Sequence, residues 1–359
     1  MDIGSLESPD GCQNRNNMPP IATYKQVSGK YKPRQVEFHP SQEQLLFGTV
    51  KGNICLSNLT SNSIDYLGNY GLSPVDPILG LCWLKANPYR FISGSGAGRV
   101  ICGDVRLTTD TCDNAVETFS HIREYQNFNE LTSVHTNCLS ELLLLSGYEQ
   151  KAKVFDIETG SMLMEYTDIH TKAINISRFS NHSPFVLATS SFDGTVKSWD
   201  LRQRTKIPIY EIVTDSHYVV MINYSHDDHF VLVSGRDNEI TQYLAFDGRK
   251  HTSFDIPRTG KFEHNYTRAY YTATGAHIIT GACEESAVSV LCTATGRLLS
   301  RFEIYPDRKH PSVYVQVRVL CCVGGYVKCL HVDIATIYVC IYQSINQSIN
   351  QSTNQSINQ

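Results

Sequence analysis

Long apolar runs, CxxC cysteine pairs and glycine-rich phosphate loops are all missing from this 359-residue chain. The longest apolar stretch towards the C-terminal end, Ile334 to Tyr342, is far shorter than the roughly 20 residues of a membrane helix, so no bilayer-spanning segment is expected. Twelve cysteines run from Cys12 to Cys340 without one CxxC pair, which removes the commonest zinc and redox spacing. The opening residues, MDIGSLESPDGCQNRNNMPP, lack the apolar core of a signal peptide. The expected setting is therefore intracellular and reducing, nucleus or cytoplasm, with Cys55, Cys82, Cys102, Cys283 and Cys292 acting as small buried hydrophobes. Charge is scarce too. Only 18% of residues are charged and the net charge is -4, which gives no global attraction for nucleic acid and leaves only a local basic strip at Arg202 to Lys206. No metal constellation or activated nucleophile is visible. The expectation is a protein that is not an enzyme, with no catalytic residues, no cofactor and no metal.

What is present is a repeat. Segments rich in β-branched and aromatic residues align on a hydroxyl or glycine, a turn and a second strand in LFGTVKGNICLSN, FISGSGAGRVICGD, LLLSGYEQKAKVFD, LATSSFDGTVKSWD, LVSGRDNEITQYL and ITGACEESAVSVLC. The first apolar residue after each turn is Ile54, Val100, Ala152, Val196, Ile240 and Val288, spaced 46, 52, 44, 44 and 48 residues apart. That period fits a four-stranded propeller blade of about 40 to 50 residues. Each copy follows a further apolar strand ending in a turn, as in ISRFSNHSP and AYYTATGAH. One blade cannot cover both faces of its sheet, so stacking around an axis is what gives such strands a core. The expected fold is an all-β propeller with six detectable blades and a seventh that is degenerate or missing.

The copy IHTKAINISRFSNHSPFVLATSSFDGTVKSWDLRQ resembles a WD40 repeat, with His170 in the place of that family's GH histidine, followed by Asp193, Trp199 and Asp200. The resemblance covers about Pro33 to Phe302, and the wording is similar to plant WD40 (transducin-like) proteins that carry a DWD box. It implies that His170, a strand hydroxyl among Thr189 to Ser191, Asp193 and Trp199 form a buried structural hydrogen-bond chain. A catalytic reading of His170 and Asp193 beside a serine is the sharper alternative, but no nucleophile-elbow motif accompanies them. The other copies depart, with Ser57, Gly103, Phe155, Tyr243 and Leu291 in the tryptophan column and Lys51, Ala97, Glu149, Asp237 and Glu285 in that of the turn aspartate. Only the fourth copy is expected to hold the full network.

The segment LATSSFDGTVKSWDLR, Leu187 to Arg202, fits the WDxR or DWD box except that Ser198 stands where an aliphatic residue is usual. The resemblance implies a substrate receptor of cullin-4 ubiquitin ligases whose box docks on the damaged-DNA-binding adaptor subunit. Arg202 would fall just beyond a strand end on the narrow face, where its planar fork suits bidentate bonds, and Asp200 would orient it. Asp104, Val105 and Arg106 form a second copy with Gly103 for tryptophan. The intervening copy reads Phe155 to Glu158, a gap that weighs against docking through two boxes. The plainer alternative pairs Arg202 with Asp200 for structure alone, in a scaffold or a peptide or histone-tail reader whose unknown ligand binds the wide face. His135, His277, the Tyr266, Tyr270 and Tyr271 cluster beside Arg268, and the turn His226 to His229 read first as structural.

The two ends carry less. Residues 1–18 and the four-residue repeat of 343–359 are expected to be disordered, and the propeller to occupy 19–315, with Pro19 to Lys25 a candidate outer closing strand. Residues 316–342 admit two readings, a degenerate final blade or sequence foreign to the propeller.

Overall fold

The computed structural model describes residues 23–28, 32–61, 63–106, 121–125, 128–203, 206–260, 264–272, 274–285, 287–303, 313–315, 326–333 and 336–343. Among them there is no helix. Six four-stranded antiparallel sheets follow one another along the chain, each built from four consecutive strands and therefore each one blade. Blade 1 runs Pro33–Phe38, Gln44–Thr49, Asn53–Asn58 and Ile64–Asn69. Blade 2 runs Ile78–Leu84, Asn87–Ser95, Val100–Asp104 and His121–Tyr125. Blade 4 runs Ile174–Phe179, Val186–Ser191, Thr195–Asp200 and Tyr210–Val213. Blades 3, 5 and 6 repeat the order from Leu131, Met221 and Thr267. We call the four strands a to d, a being innermost.

The middle strands explain why the sequence repeats so clearly there. Strand b of blade 1 and strand c of blade 6 are buried along almost their whole length, whereas strand d of blade 5, Lys250–Phe254, is mostly exposed. Alternate side chains of a middle strand face opposite neighbours, so both faces are apolar. In blade 3, Leu143 and Leu145 join a core shared with blade 2, while Leu144 between them packs with Phe179, Leu187 and Trp199 of blade 4. Among the described residues the cores thus lie largely between successive blades, and each of blades 1 to 5 contributes to two.

The glycine-or-hydroxyl column has a steric origin. A Cβ on Gly48 would come within 2.4 Å of Ile78 of the next blade, and one on Gly94 within 2.3 Å of Leu131. Serine in the same column is used for bonding instead: Ser146 Oγ lies 2.8 Å from Ser177 Oγ of blade 4. The free edges of the innermost strands are satisfied by the same kind of contact, since Ser177 N donates to Ser133 Oγ and Phe179 N to His135 Nδ1. Buried backbone groups are thus paired across blades as well as within them.

A seventh four-stranded sheet joins the two ends of the chain in the order Thr23–Ser28, Thr336–Gln343, Tyr326–Asp333 and Val313–Val315. Its outer strand is antiparallel to Thr336–Gln343, with Thr23 opposite Ile341 and Ser28 opposite Thr336. Val313–Val315 neighbours blade 6 and Tyr326–Asp333 neighbours blade 1. Residues 1–18 and 344–359 lie outside the described residues.

Candidate functional site

Blade 4 brings its four marked residues into one buried chain. Trp199 Nε1 donates to Thr189 Oγ1 at 2.9 Å, and the same oxygen lies 2.8 Å from His170 Nε2. On the far side of the ring, His170 Nδ1 lies 3.2 Å from Asp193 Oδ2 and 3.0 Å from Thr195 Oγ1. A carboxylate only accepts, so the imidazole proton sits on Nδ1 and Nε2 accepts from the threonine hydroxyl. Asp193 also accepts from Thr171 N and Thr195 N at 2.9 Å each. Burial works against its charge, but the bonds from His170, Thr195 and Thr171 outweigh it and hold the carboxyl well below the usual range. The hydroxyl at His170 Nε2 is that of Thr189, fully buried and already shared with the indole, and the one near Nδ1, that of Thr195, is bonded to Asp193. Ser190 and Ser191 donate instead to the carbonyls of Ile176 and Lys172.

Where strand c of blade 4 ends, the chain turns outward and the fork begins. Arg202 Nη2 donates to Asp200 Oδ2 at 2.6 Å, Nε to Oδ1 at 2.9 Å, and the Arg202 backbone N to Oδ1 at 3.0 Å. The Arg202 side chain remains 64% exposed whereas that of Asp200 is 11% exposed, so the carboxylate is a seat and the guanidinium is the presented surface. The hydrogen bonds from Arg202 are the main reason that the Asp200 carboxyl is lowered. The Phe185 ring lies 5.8 Å beneath the guanidinium, and Leu201 N is bonded to Phe185 O.

Blade 2 builds the same fork with Gly103, not tryptophan, in strand c. Arg106 Nη2 donates to Asp104 Oδ2 at 2.7 Å, Nε to Oδ1 at 3.0 Å, and the Arg106 backbone N to Oδ1 at 3.0 Å. Its guanidinium lies 4.5 Å from the Tyr89 ring, and Val105 N is bonded to Tyr89 O. The side chain is 53% exposed. In blade 3 the arginine column holds Glu158, bonded by Arg90 Nη1 at 3.3 Å, and Asp156 is capped by the turn residue Thr159. Two forks therefore flank one acidic turn.

The remaining marked residues fall elsewhere. Tyr270 and Tyr271 are buried, and Arg268 and Tyr270 line the axis of the ring. Tyr266 stands apart with Arg236, whose guanidinium lies 3.6 Å from the Tyr218 ring and 5.7 Å from that of Tyr266. His277 is half-buried and its pKa is lowered by that burial. The His226 to His229 turn is structural in its bonding: Asp227 accepts from Ser225, while Asp228 reaches across to Asn181 N and His182 N of blade 4. The five cysteines read as small hydrophobes are all buried and not in disulfides. One network was not foreseen. Asp237, in the turn-aspartate column of blade 5, accepts from Thr259 N, Gly260 N and Asn265 Nδ2, and Glu285 of blade 6 joins it through Asn238 and Asn265.

Comparison with known proteins puts these observations in a family. Residues 163–200 match the WD domain, G-beta repeat. The chain is 41% identical over 270 residues, 74% of its length, to the Arabidopsis thaliana protein DWD HYPERSENSITIVE TO UV-B 1, covering 34% of that relative. It is 28% identical over 130 residues, 35% of its length, to the RbAp48-related WD40 repeat-containing protein prw1 of Schizosaccharomyces pombe, covering 30% of it. The chain thus spans about a third of the length of these relatives. No helix among the described residues is long and apolar enough to cross a membrane. Because the matched repeat is the blade that holds the buried network, and the other blades copy its strand order, the chain is a WD40-repeat protein.

Proposed function

We propose that this propeller is a protein-interaction platform that serves a cullin-4 ubiquitin ligase as a substrate receptor, docking on the damaged-DNA-binding adaptor through the turns that present Arg202 and Arg106. The observation that carries the reading is the fork itself. An aspartate at a strand end holds Nε and Nη2 of an arginine that stays more than half exposed, and this arrangement occurs in blades 4 and 2 on turns at the same end of the c strands, with Asp247 holding Arg249 through Nε alone on the corresponding turn of blade 5. Pre-orientation lowers the entropy lost when a long side chain enters an interface, and arginine suffers less than lysine from leaving water. In this reading His170, Asp193 and Trp199 keep blade 4 rigid beneath the fork.

The reading is supported by the likeness to a relative whose name carries the DWD designation. A second reading, a ligase-independent peptide reader, is favoured by a stack at the opposite strand ends. There the Phe192 and Tyr218 rings lie 4.2 Å apart and nearly parallel, continuing into Arg236 and Tyr266. The test is affinity purification of the tagged chain followed by quantification of the adaptor. Recovery of the adaptor, lost when Arg202 and Arg106 are both replaced by alanine, is the expected result. Recovery of other partners without the adaptor favours the reader.

A further inference from the structure

Exposed apolar side chains are divided unevenly between the two ends of the blades. Each blade is an antiparallel run of four strands, so its a–b and c–d turns lie at one end and its b–c turn and d–a connection at the other. Fifteen large apolar side chains among the described residues are exposed, and only Leu72, Val75, Tyr148 and Val213 stand towards the b–c end. The other eleven stand at the end that presents Arg202 and Arg106. Scattered exposed apolar residues are ordinary on a soluble surface, whereas their gathering at one end marks a face that meets another molecule.

Within that face the c–d turns can be aligned by one bond. The residue after strand c donates its backbone N–H to a carbonyl at or near the start of strand b, as Leu201 does to Phe185 in blade 4, Val105 to Tyr89 in blade 2 and Ala245 to His229 in blade 5. The next position holds Arg202 and Arg106 in blades 4 and 2, and in blade 5 it holds Phe246. Ala245 packs into the core between blades 4 and 5, but the Phe246 side chain is 67% exposed. Thr60 and Ala294 fill the same position in blades 1 and 6, so the turn itself does not call for an aromatic ring. The turns of blades 4 and 5 adjoin: a Cβ on Gly248 would come within 2.6 Å of Tyr210. Ile207 and Ile209, both exposed, lie between Arg202 and Tyr210 on the same connection. Arg249 completes the patch, with its guanidinium 5.7 Å from the Phe246 ring and its side chain 71% exposed.

We propose that Phe246, flanked by Ile207 and Ile209, is the apolar anchor of the docking face and enters a pocket of the adaptor whose rim carries carboxylates opposite Arg202 and Arg249. The inference rests on the docking through Arg202 proposed above and adds the apolar half of that contact. Aromatic and arginine side chains dominate the binding energy of protein interfaces, the ring by filling a desolvated pocket and the arginine by directional bonds beside it. Complementary charge then steers the encounter, and burial of the ring sets how long the complex lasts.

The full chain is immobilised and purified adaptor is titrated over the parent, Phe246→Ser, Ile207→Ser combined with Ile209→Ser, Arg202→Ala and Val75→Ser. Phe246→Ser should lower affinity by about tenfold or more, chiefly through faster dissociation, and the isoleucine pair should lower it less. Val75→Ser, which removes an aliphatic side chain 74% exposed at the opposite end, should bind as the parent does. Each variant replaces an exposed side chain, so all should melt with the parent. If the parent binds the adaptor and Arg202→Ala weakens it while a folded Phe246→Ser variant binds normally, the anchor does not exist and docking through the fork stands without it. Equal weakening by Val75→Ser and Phe246→Ser also overturns the anchor, because the loss would then follow surface apolarity at either end. If the parent chain does not bind the adaptor, the anchor and the docking fall together.

Discussion

Blades 2 and 4 end strand c in the same way and differ in what lies beneath. Blade 4 has Trp199 tied through Thr189 to His170 and Asp193, whereas blade 2 has Gly103 in the tryptophan column and Ala97 in that of the turn aspartate. Yet Arg106 sits on Asp104 with almost the distances of Arg202 on Asp200. The fork is therefore a property of the turn, made by an aspartate at the strand end, an arginine two residues on and an aromatic ring at or just before the start of the adjoining strand. The network is a property of the blade interior. Presentation of the arginine and stability of the blade are separable, and substitutions in blade 4 should fall into two groups accordingly.

The largest effect belongs to the interior. Trp199→Ala removes a buried aromatic from the core shared by blades 3 and 4, at a cost of about 3 to 5 kcal/mol, and thermal unfolding should report a fall in melting temperature of roughly 10 °C. His170→Ala should cost somewhat less, about 2 to 3 kcal/mol, because it leaves Thr189 and Asp193 without a central partner in a buried place. If either variant melts with the parent, the network is not a source of stability.

Acid then sharpens the comparison. Asp193 is depressed in the folded chain, so its contribution is complete above the unfolded carboxyl value of about 4 and is lost as pH falls below that value. The gap in urea midpoint between the parent and Asp193→Asn should be constant from pH 7 to pH 5 and narrow by pH 3. A gap independent of pH would mean that charge on Asp193 does not matter. Smaller still is Asp200→Ala, which releases the Arg202 fork on an exposed turn. Exposed pairs contribute little to stability, so the melting temperature should stay within about 2 °C while adaptor affinity falls through loss of pre-orientation.

Much of this was legible in the chain. The recurrence of strands b and c is dictated by burial on both faces, and the small residues at Gly48 and Gly94 mark the approach of Ile78 and Leu131. The Asp-x-Arg spacing marked the forks of blades 2 and 4, although Asp247 and Arg249 of blade 5 share it, and each of the two arginines follows its aromatic platform by the same interval, 17 residues from Tyr89 to Arg106 and from Phe185 to Arg202. That regularity passes unnoticed until the strands are paired. Other features had no local signal. The pairing of Thr23–Ser28 with Thr336–Gln343 joins distant segments that do not share the repeat. Asp237 stood in the expected column, but its partners Thr259 and Asn265 come from the connection into blade 6, which a blade-by-blade alignment does not relate to it. Arg34, Arg178 and Arg268 are scattered over blades 1, 4 and 6 and come to line one cavity only when the ring is formed.

The separation of fork from blade is tested most directly by measuring melting temperature and adaptor co-precipitation on the same preparations of the parent, Arg202→Ala, and Arg202→Ala combined with Arg106→Ala. The account predicts coincident melting curves, a loss of adaptor affinity of roughly thirtyfold for the single variant, as for truncation of an interface hot spot, and a further loss for the double variant. Full adaptor binding by the double variant, or a melting temperature that falls along with binding, would contradict it.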